Sequence, residues 1–237
     1  MEALVAIISA RRPNSVEKMS KFAPNARWYV AEGETEAYKS AGAVDVVEAG
    51  GLIAARNQAI EDAFAEGKAS VQLSDDLTKL QRANPDKTAS DITLQEVINE
   101  MGKFCTGLSV KLAGAAPVPN MFYFDPEKPF KTHHFIVGDL IYIEPSTPRF
   151  DSSLKLKEDY DFTAQHIQEY GGVARLDFIH AHFKHRTNAG GAVSYRTPEV
   201  EQEAILRLQE KWGDAIRPNI RRENEILFRG EKILRRR

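Results

Sequence analysis

The sequence predicts an α/β fold: a mixed, mainly parallel sheet flanked by helices, with a smaller sheet beside it. Three observations lead there. Short β-prone runs alternate with helical patterns over residues 3–74 at the spacing of βαβ units. The first run, Leu4-Val5-Ala6-Ile7-Ile8, is apolar without alternation, as a strand covered on both faces must be. The fourth, at 70–73, ends abruptly in Ser74-Asp75-Asp76. Open α/β sheets bind ligands beyond the carboxyl ends of their strands, so the carboxylates stand where a ligand is expected.

The elements follow in order. Arg11-Arg12-Pro13-Asn14-Ser15 breaks the first strand, and Asn14 or Ser15 caps a short helix to Phe22. Arg27-Trp28-Tyr29-Val30 reads as a second strand and Val44-Asp45-Val46-Val47 as a third. Gly50-Gly51 then turns into an amphipathic helix over 52–66, with Ile53, Ile60 and Phe64 on its buried face. Asn84-Pro85-Asp86-Lys87 is a turn, and Asp91 or Thr93 caps the next helix. Residues 107–148 are rich in Gly, Pro, Phe and Tyr, with short strands expected around 121–124, 134–137 and 140–144. A helix from 157 to 170 closes on Gly171-Gly172; a strand is expected over 175–183 and a charged helix over 199–212. No polar linker divides the chain. Residues 1–214 therefore read as one domain, with a ligand-binding half (1–106) and an acceptor half (107–214), followed by a basic tail over 215–237.

Composition narrows the class. Hydrophobic content of 42% and charged content of 28% are those of a globular protein. The single Cys105 excludes an internal disulfide and suits a reducing, cytoplasmic compartment. The apolar run at 3–10 is too short to span a bilayer and has no basic flank before it. The net charge of −2 conceals an asymmetry: residues 215–237 carry eight Lys/Arg against three acids. A basic end on an acidic body points to a polyanionic partner or to a merely solvated terminus.

Several residues can carry chemistry. Asp75 and Asp76 suit a divalent cation that bridges a diphosphate; on their own they are equally an Asx-type turn. Arg56 and Asn57, one turn into their helix, can grip phosphate or a base edge, or lie exposed. Glu158 and Asp159 open a helix, where carboxylates complement the dipole, and either can also serve as a general base; Asp161 is a further candidate. His180 and His182 share a strand face, with His185 beyond, and a single histidine can complete a Mn²⁺ site. Zinc is disfavoured, because no further Cys/His cluster has ligand spacing. Gly190-Gly191 and Arg196 have the make-up of a phosphate-facing lid.

This order resembles a GT-A-type (Rossmann-like) glycosyltransferase: the first strand, Gly-x-x-x-Ala-Arg-Asn from Gly51 to Asn57, Ser-Asp-Asp from Ser74 to Asp76, Glu158-Asp159, then the histidine-bearing strand and lid. Within that superfamily it looks closest to the phage TET-associated glycosyltransferases, which sugar-modify 5-hydroxymethylcytosine in DNA; the Thr-Asn-x-Gly-Gly segment, the small size and the basic tail carry that branch. The resemblance implies a UDP-sugar donor, Mn²⁺ or Mg²⁺, hydroxymethylated DNA as acceptor, and the host cytoplasm. Ser9, Ala10, Arg11 and Arg12 with Asn57 would border the uridine and phosphates, and Arg56, Ser74, Gly190, Gly191 and Arg196 would join them. Asp76, aided by Asp75, would hold the metal with His182 or His185. Asp159, beside Glu158, would be the base of an inverting displacement. The usual Asp-x-Asp stands here as Ser-Asp-Asp. Two other readings remain: a glycosyl- or nucleotidyltransferase acting on a small molecule or glycan, and a non-catalytic DNA-binding module.

Overall fold

The computed structural model describes residues 1–184, 196–222 and 224–236. Strands β1 (Ala3–Ile8), β2 (Arg27–Val30), β3 (Asp45–Glu48) and β4 (Ala69–Ser74) lie parallel in the order β3-β2-β1-β4. Helices α1 (Val16–Met19), α2 (Thr35–Ser40) and α3 (Leu52–Ala65) form the crossovers. The sheet continues through β9 (Leu140–Ile143), antiparallel to β4, and β7 (Leu112–Ala115), antiparallel to β9. Then come β10 (Ala174–Leu176), parallel to β7, and β8 (Phe130–Lys131), antiparallel to β10. Eight strands thus form one mixed sheet in which parallel neighbours outnumber antiparallel ones.

The unbroken apolar run of β1 has a direct cause. Ile7 packs into one core with Trp28, Leu73 and Met101, while Leu4 and Ala6 pack on the other face with Tyr29, Ala59 and Ala63 of α3. Helix α4 (Leu94–Leu108) covers the first face; its N-cap Thr93 forms a capping box with Glu96. Helices α5 (Glu158–Tyr170) and α6 (Pro198–Trp212) cover the other face around Leu112, Ile141 and Phe162. No helix among the described residues is long and apolar enough to cross a membrane.

Four expectations are corrected. Asp75-Asp76 is the two-residue turn between β4 and a further strand, β5 (Leu77–Ala83), which pairs with β6 (Ala89–Asp91) and β11 (Ile179–Phe183) in a separate three-stranded sheet. The expected strand over 175–183 is two strands in different sheets, broken at Asp177, whose carboxylate takes two hydrogen bonds from Arg175 (2.7 and 3.1 Å). Around 121–124 the chain makes a 3₁₀ turn, Met121–Tyr123, and the strand expected over 134–137 occurs instead at β8. The basic end is folded rather than a solvated tail. Strands β12 (Ile216–Pro218) and β13 (Ile226–Phe228) form a hairpin, and Ile216, Ile226 and Ile233 enter the core beneath α5 and α6.

Candidate functional site

The carboxyl ends of β1, β4 and β7 lie on one edge of the sheet together with Asp139, at the start of antiparallel β9. Ser74 ties the strands at that edge: its N–H donates to Asp139 O (2.9 Å) and its hydroxyl to Asp139 Oδ1 (3.0 Å). Asp139 is an acid that the sequence reading missed. It sits in a Gly- and aromatic-rich stretch, and its only signal is Gly138-Asp139 immediately before a strand.

Asp75 is nearly fully buried, and both its oxygens are engaged. Arg12 Nη1 reaches Oδ1 at 2.7 Å, and Ser9 Oγ donates to Oδ2. Behind them Arg12 N–H donates to the Tyr38 hydroxyl (3.1 Å), which in turn bonds Ser9 Oγ (2.5 Å). Because Ser9 gives its proton to Asp75, Tyr38 must be the donor to Ser9. Burial raises the Tyr38 phenol above its ordinary value, keeping it protonated for that role. Asp75 therefore anchors the loop after β1, with both oxygens already engaged by protein groups. Arg11, in the same loop, holds a left-handed φ of 61° while its N–H donates to both Glu34 carboxylate oxygens (3.1 and 2.9 Å). Ala10 lies between, partly covered.

Asp76, half-buried, is one residue further into the turn, and its carbonyl accepts from Lys184 N–H (3.2 Å). Lys18 is close to both aspartates and to Lys184; burial first, and Lys184 second, lower its ammonium, and the aspartates oppose this. The described residues hold no group of three or more His, Cys, Asp or Glu side chains placed to share a metal, so Asp75, Asp76 and His182 do not form one ligand set. A divalent ion here would draw on single carboxylates such as Asp76 rather than on a cluster. That suits Mg²⁺ held mainly by substrate phosphates and water, and does not suit an all-protein cage. His185, Gly190 and Gly191 lie outside the described residues.

Arg56 and Asn57 are engaged by protein groups as well. Arg56 is buried, with Nη1 to Gln72 Oε1 (3.1 Å), Nη2 to Gly138 O (3.0 Å) and Nε 3.3 Å from Glu158. Asn57 makes a two-way clamp on the backbone of Phe150: Nδ2 donates to its carbonyl and Oδ1 accepts its N–H, both at 2.9 Å. These side chains fasten α3 to the sheet and to the 138 and 150 loops. Arg196 pairs with Glu201 at 2.7 Å, at the start of α6.

The α5 N-terminus carries the last part of the site. Asp159 Oδ2 accepts from Gly138 N–H (3.1 Å), which places it beside Asp139. Burial first, and the neighbouring Glu158 second, hold the Asp159 carboxyl well above the ordinary carboxylate range; the Gly138 hydrogen bond and Arg56 pull the other way. Lys157, just before, is in left-handed backbone at φ 61°. Its Nζ is held by Glu201 and by Asn224 O (2.8 Å) in the link between β12 and β13. Arg11 and Lys157 are two of five non-glycine residues in left-handed backbone among the described residues, the others being Lys87, Ser109 and Asn224. Asp161, by contrast, is fully buried by Trp212, Gln165 and Lys211 and is structural.

Between the end of β7, the start of β9 and β11 lies a cavity of about 280 Å³, lined mainly by apolar side chains with Asp139 and His182. The Nε2 of His182 is buried with no hydrogen-bond partner, and burial, then Lys79, lower the pKa of its ring, favouring the neutral form. Comparison with protein-family models, with curated proteins and with solved structures finds no match.

Proposed function

We propose that the chain is a GT-A-type glycosyltransferase that moves a sugar from a UDP-sugar to 5-hydroxymethylcytosine, or a related hydroxymethylpyrimidine, in DNA. One observation carries the reading. Asp76, Asp139 and Asp159 stand at the edge of the mixed sheet where the parallel strands end, and burial raises Asp159 toward the range of a general base. The DNA acceptor draws support from the basic hairpin. Phe228 lies with its ring 6.2 Å from Tyr160, next to Asp159, and Arg221, Arg222 and Arg229 in and beside the hairpin are exposed. A small-molecule transferase has no use for that surface.

In the reaction, Asp159 accepts the proton of the acceptor hydroxymethyl as its oxygen bonds to the sugar C1 and the bond from C1 to the diphosphate breaks. A base whose pKa lies near the working pH is best matched to that transfer. Arg12 and Lys18, beside the aspartates, lie where they can balance the charge of departing UDP. A divalent ion on Asp76, when bound, would supply further charge neutralisation to the phosphates.

The test is release of UDP from a panel of UDP-sugars with Mn²⁺, with and without hydroxymethylated DNA. Release that depends on the modified DNA is the expected result. Release indifferent to DNA would leave the donor site and remove the acceptor; no release and no UDP binding would sink the transferase altogether.

A further inference from the structure

The segment leaving β7 runs over Ala116, Pro117 and Val118 along the cavity that Asp139 and His182 also line. It then turns at Met121–Tyr123, where Asn120 Oδ1 accepts the Phe122 N–H (2.9 Å). Phe124 returns to the core, edge-on to His180 at 6.4 Å, so the turn is anchored. Yet Phe122 and Tyr123 are 81% and 68% exposed, in a T-shaped pair with centroids 5.2 Å apart. Two large rings fixed in water gain nothing for the fold, and adjacent exposed apolar groups mark a contact surface.

The cavity beside them has the make-up of a ligand site, apolar walls with a few polar groups. Buried polar atoms are normally satisfied, and the His182 Nε2 is not. A volume of about 280 Å³ is at the lower end for small-molecule sites, roughly 300–1,000 Å³, and has room for one substituted pyrimidine ring. Outside, Lys79 faces His182 across the β5–β11 pair, half-exposed and loosely paired to Asp91 at 3.5 Å, a cation within reach of a strand backbone.

We propose that this cavity is the acceptor subsite. A single pyrimidine ring, lifted from a single strand or an opened duplex, enters beside Val118 and meets Asp139 and His182 at its polar edge. Phe122 and Tyr123 stack on the bases that flank it. This inference rests on the transferase reading and adds the location of the acceptor and a preference for an unpaired target.

The test is fluorescence anisotropy with labelled oligonucleotides carrying one 5-hydroxymethylcytosine, single-stranded and duplex, at fixed low salt. Wild type is compared with Phe122→Ala, Tyr123→Ala and Val118→Trp, all surface changes whose folding circular dichroism verifies. Wild type should prefer the single strand. Each aromatic truncation should weaken single-strand binding by about 5- to 150-fold, the span of one stacked base. Val118→Trp, by crowding the cavity mouth, should erase discrimination between modified and unmodified strands. Unchanged affinity in both aromatic variants, or no affinity of wild type for the strand, overturns the subsite. UDP release measured in parallel separates the two readings. UDP-sugar turnover onto a free glycan, with the aromatic variants silent toward DNA, sinks the subsite and keeps the transferase. Loss of DNA affinity on truncation, in a protein that never releases UDP, does the reverse.

Discussion

Replacing Asp75 with Asn separates an anchoring carboxylate from a metal-binding one. The side chain keeps its shape and loses its charge, leaving Arg12 facing a neutral amide. At 2.7 Å the Asp75–Arg12 attraction is about 6 kcal/mol gross at an effective dielectric near 20, most of it offset by desolvation of the two groups. Removing one partner of a buried pair costs about 3–5 kcal/mol, because the other charge is left uncompensated. Asp75 is 3% exposed but Arg12 17%, so water reaches the guanidinium and the low end applies, about 3 kcal/mol. In a chain of 237 residues that lowers Tm by about 6–12 °C. Urea unfolding at pH 7 of Asp75→Asn, Arg12→Gln and the double variant gives the coupling energy directly, expected at about 2 kcal/mol. A loss below about 1 kcal/mol combined with a tenfold or greater drop in Mn²⁺ affinity would refute the anchoring role and restore Asp75 to the metal.

Three further outcomes follow from the same geometry. Asn57→Ala removes both hydrogen bonds to Phe150 and should cost about 2–3 kcal/mol in urea unfolding, with UDP affinity unchanged; a change in UDP affinity without loss of stability would return Asn57 to the nucleotide. The raised Asp159 carboxyl should place the acid limb of the kcat/KM profile above the ordinary carboxylate range. Because its folded value exceeds its unfolded one, the stability it contributes is present below about pH 4 and is lost as pH rises through the folded value. Asp159→Asn should therefore abolish turnover while gaining stability relative to wild type between pH 5 and 8; an equal difference at both pH values would show that burial does not raise this group. His166 runs the opposite way. Buried between Phe162 O and Ser146, it is pushed down to about 4, so its contribution is present above the unfolded value near 6.5 and lost as pH falls through 4. About 2 kcal/mol should be gone by pH 5, and His166→Gln should flatten that slope in urea titrations.

The parallel half was legible because its signals are local. The run at β1 is apolar throughout, β2 carries Trp28-Tyr29-Val30 and β4 a short run around Val71 and Leu73, and Gly51 and Gly67 bracket α3. Strand β5 was not. Its buried apolar residues, Leu77, Leu80 and Ala83, recur every third position, a spacing that fits no half-buried strand. It is covered unevenly, because the pairing with β11 slips between His182 and Phe183. The break at Asp177 was hidden for another reason. Arg175 through Phe183 is mostly β-prone, and at Asp177 the side chain pairs with Arg175 while its N–H turns to Pro129 O (2.9 Å), where the chain passes from one sheet to the other.

For the site, residue type was readable and residue target was not. Asn57 finds its partner 93 positions away, Arg56 finds Gly138 at 82, and Asp75 finds Arg12 at 63. A carboxylate at the end of a buried strand is either consumed by such a partner or left to face the crevice, and that choice depends on loops brought together only by the sheet order. Asp75 and Asp76 differ in surroundings within one turn. Side chains of adjacent residues diverge, so the first is drawn under the β1 loop to Arg12 and Ser9, while the second stays at the half-buried rim with Lys184. The same logic makes Asp139 informative. It enters the edge on an antiparallel strand, from the opposite chain direction to Asp76, bonded to Ser74, while Asp159 is held by the adjacent Gly138. An acid delivered by β9 can flank a ligand from the side that the parallel strands leave open, which is where the cavity lined by Asp139 and His182 is found.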